Sequence, residues 1–233
     1  LLSSVISNYG EPKFSEREKS KENGEKFLSV DRKKYLLVEK LNDIDDWLKE
    51  AEEKGEISID TETNSLNPHL AELVGISLAT NIGKACYIPL KHINKVTLDT
   101  NKVLQKLKPI LEDKSIKKIG QNIKFDYIIF YHRGITMNTM EDTMLMSYVL
   151  DAGKNRHNMD TLSELHLGHK TISYKDLVGS GKKQLTFDQV DIKKATEYAA
   201  EDADITFRLY KILKKNLLKE KLENIYEIFE KPL

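Results

Sequence analysis

Five side chains in three short segments have types and spacings suited to a single chemistry. Asp60 and Glu62 sit in Ile57-Ser58-Ile59-Asp60-Thr61-Glu62-Thr63, Asp126 ends Gln121-Asn122-Ile123-Lys124-Phe125-Asp126, and Tyr198 and Asp202 bracket Tyr198-Ala199-Ala200-Glu201-Asp202. In a strand, residues i and i+2 share a face, so Asp60 and Glu62 point the same way and Thr61 points to the other. Tyr198 and Asp202 are one helical turn apart. Two like charges ~4 Å apart repel by about 4 kcal/mol at an effective dielectric near 20, and burial adds a desolvation cost. A hard divalent cation relieves both by accepting oxygen ligands. Taken singly, each segment has an ordinary explanation: an acid in a solvated turn, an acid on the polar face of a helix, a tyrosine beside a surface aspartate. Together the four carboxylates and the phenol suit two divalent ions and the hydrolysis of a phosphodiester.

Residues 57–62 are β-favouring and form a strand that ends on the first two acids. Residues 35–38 read as an earlier strand, and 42–54 as a helix stopped at Gly55. Residues 73–80 and 84–89 are strands joined at Asn81-Ile82-Gly83, a hairpin signal. Residues 100–113 read as a helix and 117–120 as a short strand. Asn122 then has the type and place of an N-cap for a helix running to Tyr131, with Phe125, Ile128 and Ile129 on its apolar face and Asp126 one turn in. Further helices are expected over 141–150, 160–167 and 192–218, the last capped by Asp191. On that long helix Ala195, Ala199, Thr206, Leu209 and Leu213 keep one face small or apolar, while Glu201 and Asp204 are angled away and read as surface charges. Strands first, then mixed strands and helices, then helices, make an α/β domain with a mixed sheet flanked by helices.

The chain has 233 residues, enough for one domain with a sizeable core. Lysine plus arginine and aspartate plus glutamate are equal at 37 each, so the chain lacks the strong basic excess of many nucleic-acid binders. A nuclease acting on a single strand needs only a local basic track, and its own site is acidic. The lone cysteine, Cys86, lies in an apolar run, reads as core, and fits a reducing, cytoplasmic setting. No stretch is apolar and long enough to span a bilayer. Residues 11–26 mix five basic with five acidic side chains and show no apolar periodicity, so residues 1–30 read as a tether. Gly179-Ser180-Gly181-Lys182-Lys183 is not a phosphate loop, because Asp176 stands where the first glycine belongs and Lys183 where Ser or Thr belongs. His166 and His169 lack a cysteine pair and read as surface histidines; Trp47 reads as core.

The three acidic segments, in this order, resemble the motifs of the ribonuclease H-like 3′→5′ exonucleases that use four acids and a tyrosine. The resemblance is to the proofreading exonuclease domain of bacterial DNA polymerase I. It runs colinearly from about residue 35 to the C-terminus and takes in Asp142-Thr143-Met144-Leu145, Arg156-His157-Asn158-Met159-Asp160-Thr161-Leu162, Lys170-Thr171-Ile172, Gln184-Leu185-Thr186-Phe187 and residues 198–206.

The resemblance implies a ribonuclease H-like mixed five-stranded sheet, an exonuclease domain over 31–225, and, from Tyr226, the start of a junction to a polymerase domain in the same polypeptide. It implies two divalent ions, Mg²⁺ or Mn²⁺ with Zn²⁺ also admissible, held by Asp60, Glu62, Asp126 and Asp202. Asp60 bridges, Glu62 and Asp202 serve the nucleophile side, Asp126 serves the leaving-group side through water, and Tyr198 bonds the attacking water. Leu66 matches a wedge between the last two bases, Gln121 and Asn122 match contacts to the terminal nucleotides, and Arg156 matches a phosphate ligand. Tyr174 stands where well-known relatives have Phe and keeps the capacity to stack. The implied substrate is the 3′ end of single-stranded or frayed DNA, and the implied state is a cytoplasmic monomer releasing nucleoside 5′-monophosphates. Two rivals share these motifs: an RNA 3′-exonuclease similar to ribonuclease D, and a catalytically silent DNA-holding module. The second is disfavoured because all five side chains are present.

Overall fold

The computed structural model describes residues 29–93 and 97–232. The expected tether, 1–30, therefore lies almost wholly outside the described residues. The core is a six-stranded sheet among those residues, in the order β1-β4-β3-β2-β5-β6. The strands are β1 (Leu36–Leu37), β2 (Glu56–Thr63), β3 (Leu73–Asn81), β4 (Lys84–Pro89), β5 (Lys117–Gly120) and β6 (Met140–Asp142). β2, β3 and β4 are antiparallel neighbours, whereas β1 joins β4, β5 joins β2 and β6 joins β5 in parallel. The expectation of five strands falls one short. β6 lies inside the stretch read as a helix from residue 141, because three residues are too few to show a period and the helix α4 follows at once (Thr143–Asp151).

Helices cover both faces of the sheet. On one, α1 (Ile44–Lys54), α2 (Thr100–Glu112) and α3 (Lys124–Tyr131) pack on Ile57, Ile59, Ile76 and Leu78. α1 buries Ile44, Trp47 and Ala51 and stops at Gly55, whose φ of +67° is the left-handed C-cap that the sequence signals. On the other face lie α4, α5 (Met159–Leu167) and the long α7 (Ile192–Lys219), with the short α6 (Tyr174–Val178) before it. Asp191 caps α7 by accepting from the backbone N–H groups of Lys193 and Lys194, as its position predicts. Among the described residues no helix is long and apolar enough to cross a membrane.

α7 is buried through its middle, and this overturns one expectation. Glu201 and Asp204 are not surface charges: both are fully buried. Asp204 accepts from the Tyr35 hydroxyl (2.7 Å), the Gly83 N–H (2.7 Å) and the Arg208 guanidinium (3.0 Å), so it ties the start of the domain and the β3–β4 turn to α7. A helix laid across a sheet and flanked by two more helices exposes little of its circumference, so its polar positions are enclosed as well. At the C-terminal end, Tyr226 is also fully buried, donating to Glu141 (3.1 Å) and accepting from the Asp142 N–H (3.0 Å).

Candidate active site

Alternation along β2 sends Ile57 and Ile59 into one core layer and Ser58, Asp60 and Glu62 toward α7. Asp60 lies opposite Ser77 and Glu62 opposite Gly75 on β3; a bulge follows Glu62. Gly75 is required there: a Cβ on it would lie 2.0 Å from the buried Tyr87 hydroxyl. From the other side α7 presents Asp202. One ligand oxygen from each of Asp60, Glu62 and Asp202 lies within 4.8 Å of the other two. Tyr198 lies one turn earlier on α7, close enough for the Asp202 charge to act on its hydroxyl.

Asp126 arrives by a different route. Thr61 faces away from Asp60 and Glu62, and there its N–H (2.9 Å) and hydroxyl (2.5 Å) both donate to one Asp126 oxygen. Asp126 thus stands outside the three-carboxylate group, close enough for its charge to act on Glu62 and for the Asp60 charge to act on it. Asn122 is not the cap of α3; the cap is Ile123, and Asn122 adopts a left-handed φ of +59° in the turn before it. The backbone N–H groups of Asn122 and Ile123 instead donate to Asp142 (3.1 and 3.0 Å). Asparagine tolerates that conformation better than most residues. Gly120 leaves room for the turn, since a Cβ would meet Ile123 at 2.7 Å.

The charges here are uncompensated. Among the described residues none of the four carboxylates is paired with a lysine or arginine, and the buried Glu62 Oε1 has no hydrogen-bond partner. Burial first, then Asp202, holds the Asp60 carboxyl well above the ordinary carboxylate range. Burial, then Asp60, Asp202 and Asp126, does the same to Glu62. Asp202 is raised by burial, with Tyr198 opposing the shift and Glu201 adding to it; Asp126 is raised by burial and Asp60, with Thr61 opposing. Burial and the nearby carboxylates push the Tyr198 hydroxyl up too, keeping it a proton-bearing donor. Converging, unpaired oxygens around an orphaned acceptor are what a hard divalent cation takes as ligands, so these residues fit such ions.

A family model described as 3′-5′ exonuclease matches residues 35–218. The chain belongs to the 3′–5′ exonuclease family. The exonuclease domain is 44% identical over 243 residues to a DNA polymerase I of Rhizobium leguminosarum, covering 94% of this chain and 24% of the relative. It is 41% identical over 217 residues to a DNA polymerase I of Pseudomonas aeruginosa, covering 90% and 24% respectively. The chain thus spans about a quarter of the length of these curated relatives. In fold it is similar to Brucella melitensis NrnC with bound Mg²⁺, at a TM-score of 0.60 and 22% identity over 83% of this chain and 86% of that one. The ribonuclease H-like class expected from the sequence is the class observed.

Of the remaining expected contacts of the exonuclease domain, Tyr174 is the one seen, among the described residues, against a side chain of the site. Tyr174, first residue of α6, has its ring edge-on to Tyr198 with centroids 6.1 Å apart, and burial, then the Glu62 charge, raises its hydroxyl. Leu66, in the loop after β2, is 95% exposed, an unfavourable state for an apolar side chain without a partner. The Gln121 amide is spent internally, donating to the His157 carbonyl (2.7 Å) and accepting from the Thr143 hydroxyl (2.5 Å). It thereby anchors the segment that carries the exposed Arg156. His169 is not a free surface histidine: its Nε2 lies 2.7 Å from Glu201 Oε1. Reasoning from sequence missed Thr61, Asp142 and Glu201 as supports. Alternation turns Thr61 away from Asp60 and Glu62, and the others look like ordinary helix-terminal or helix-face acids.

Proposed function

We propose that this domain is a two-metal 3′→5′ exonuclease that removes nucleotides from single-stranded or frayed DNA 3′ ends as nucleoside 5′-monophosphates. It serves as the proofreading unit of a cytoplasmic polypeptide that also carries a polymerase domain. The observation that carries this reading is the meeting of Asp60, Glu62 and Asp202 oxygens within 4.8 Å with no cationic side chain among the described residues to neutralise them. The names of the relatives and the 24% of their length that the chain spans support the larger polypeptide.

Asp60, Glu62 and Asp202 would hold one ion, and Asp60 with Asp126 the other. When bound, such a pair acidifies a water and neutralises charge on the leaving oxygen. The chain's own groups do the rest. The Tyr198 hydroxyl, beside Asp202, both donates and accepts and so orients the attacking water. The Tyr174 ring forms a wall on which a base stacks, a contact worth roughly 1–3 kcal/mol. Exposed Leu66 gains burial by entering between bases, and Arg156 meets a phosphate. Because the terminal nucleotides must be unpaired to reach the pocket, fraying of a mismatched end becomes selectivity.

The test is a labelled 3′ end incubated with Mg²⁺ or Mn²⁺. A ladder on single-stranded DNA that EDTA abolishes, slower on a matched duplex end, is the expected result. Equal rates on both ends, faster cleavage of single-stranded RNA, or no ladder at all overturns the reading.

A pH dependence accompanies it. The four acids are raised in the folded state above their unfolded values, so their contribution to stability is complete below the unfolded values and is lost as pH rises through the folded ones. In EDTA the melting temperature should therefore climb between pH 8 and pH 5.5. Mn²⁺ should stabilise the protein more at pH 8 than at pH 5.5, because ion binding competes with protons for the same oxygens. Thermal melts at the two pH values, with and without the ion, check both statements.

A further inference from the structure

Glu201 is the residue beside Asp202, yet it points into a different network. Its side chain is fully buried. One oxygen takes Arg32 Nε (2.7 Å) and lies 2.7 Å from His169 Nε2; the other takes the Ile172 backbone N–H (2.8 Å). Two of these three partners belong to the irregular segment 168–173 between α5 and α6. The third, Arg32, also donates to the Lys170 carbonyl (3.0 Å) in the same segment. Two further side-chain bonds tie the segment back to α5, from the Thr171 hydroxyl to Asp160 (2.6 Å) and from the Ser163 hydroxyl to the His169 carbonyl (2.8 Å), and Ser173 then caps α6. Its apolar burial is slight, so polar bonds decide where it lies. The residue after Ser173 is Tyr174, whose ring meets Tyr198.

From this geometry we infer that Glu201 is a positioning residue for substrate: it holds the 168–173 segment so that the Tyr174 ring stands at a set distance from the acids. One turn of α7 then fixes both the carboxylate that binds the reaction's cations and the wall that receives the base. The inference rests on the proposed function, which supplies the role of Tyr174. A carboxylate with three donors cannot be replaced by an amide without turning one acceptor into a donor, which sets an N–H against either Ile172 or the Arg32–His169 pair.

The experiment is a double-mutant cycle on Glu201→Gln and Tyr174→Ala, with kcat and KM measured on a single-stranded DNA oligonucleotide and its affinity measured by fluorescence anisotropy in EDTA. Tyr174→Ala should raise KM and Kd about 5- to 10-fold, within the range lost with one stacked base. Glu201→Gln should do the same with kcat changed less than about 3-fold, since uniform binding is what it removes. The double variant should be no weaker than Tyr174→Ala alone, because the two act through one contact. Should Glu201→Gln fail to fold, His169→Ala removes one donor, leaves the carboxylate with Arg32 and Ile172, and takes its place in the cycle with the same expected signature. Penalties that multiply in the double variant, or a fall in kcat at unchanged KM, overturn the positioning role while leaving the nuclease reading intact. An unchanged KM in Tyr174→Ala alone removes the wall itself, and the inference falls with that part of the proposed function.

Discussion

Asp60→Ala lowers turnover on a single-stranded 3′ end by at least ~10²–10³-fold, the scale of losing one strong transition-state stabiliser. Affinity for the strand in EDTA should change far less, because the proposed base wall and phosphate contact would be made by other residues. Asp60 is chosen over its neighbours for its place in the electrostatics. It is in the cluster with Glu62 and Asp202, and its charge acts on both Glu62 and Asp126. A second readout separates lost chemistry from a damaged fold. Asp60→Asn keeps the shape and removes one of several mutually repelling, buried charges. In EDTA near pH 8 it should melt at or above the temperature of the unmodified protein, the usual trade between stability and activity at such a site. Kinetics on both variants, with melts in EDTA, test this; retained activity in Asp60→Ala refutes the ligand assignment.

Asp204→Ala should cost about 3–5 kcal/mol of folding stability, the range seen when one partner of a buried ion pair is removed. The side chain is fully buried beside Arg208, which is 1% exposed, and it also receives the Tyr35 hydroxyl and the Gly83 N–H. Truncation therefore leaves three donors without this acceptor, those of Tyr35 and Arg208 in the buried interior. Tyr35→Phe deletes a single one of these bonds together with its donor, so it should cost only about 1–1.5 kcal/mol. Urea melts of the two variants give the comparison. A loss under 1 kcal/mol for Asp204→Ala would place the residue on the surface, where its sequence context first put it.

The same helix shows why reading by residue type went wrong where it did. Along α7 the spacing of Tyr198 and Asp202, the cap at Asp191 and the apolar face are all local properties, and each is observed. Whether Glu201 and Asp204 meet water is not local; it depends on α4, α5 and the N-terminal segment closing over the side of the helix that an isolated amphipathic pattern would leave bare. The turn before α3 failed for a related reason. Asn122 has the composition of a cap, but Asp142, twenty residues later in sequence, accepts the backbone N–H groups of that turn and leaves Asn122 free to take a left-handed φ.

What the linear order of residues determined was the kit: the four acids and the tyrosine, β2 and α7 to carry most of them, the hairpin at Gly83 and the stop at Gly55, and hence the α/β class and the family. These follow from period, capping and turn chemistry, which act over a few residues. Only the folded chain decided which oxygens meet. It brought Asp60, Glu62 and Asp202 together, set Asp126 aside on Thr61, and turned Glu201 and Asp204 from apparent surface charges into buried ties. The physical reason is that proximity between distant stretches, and exclusion of water from them, depends on how whole layers pack.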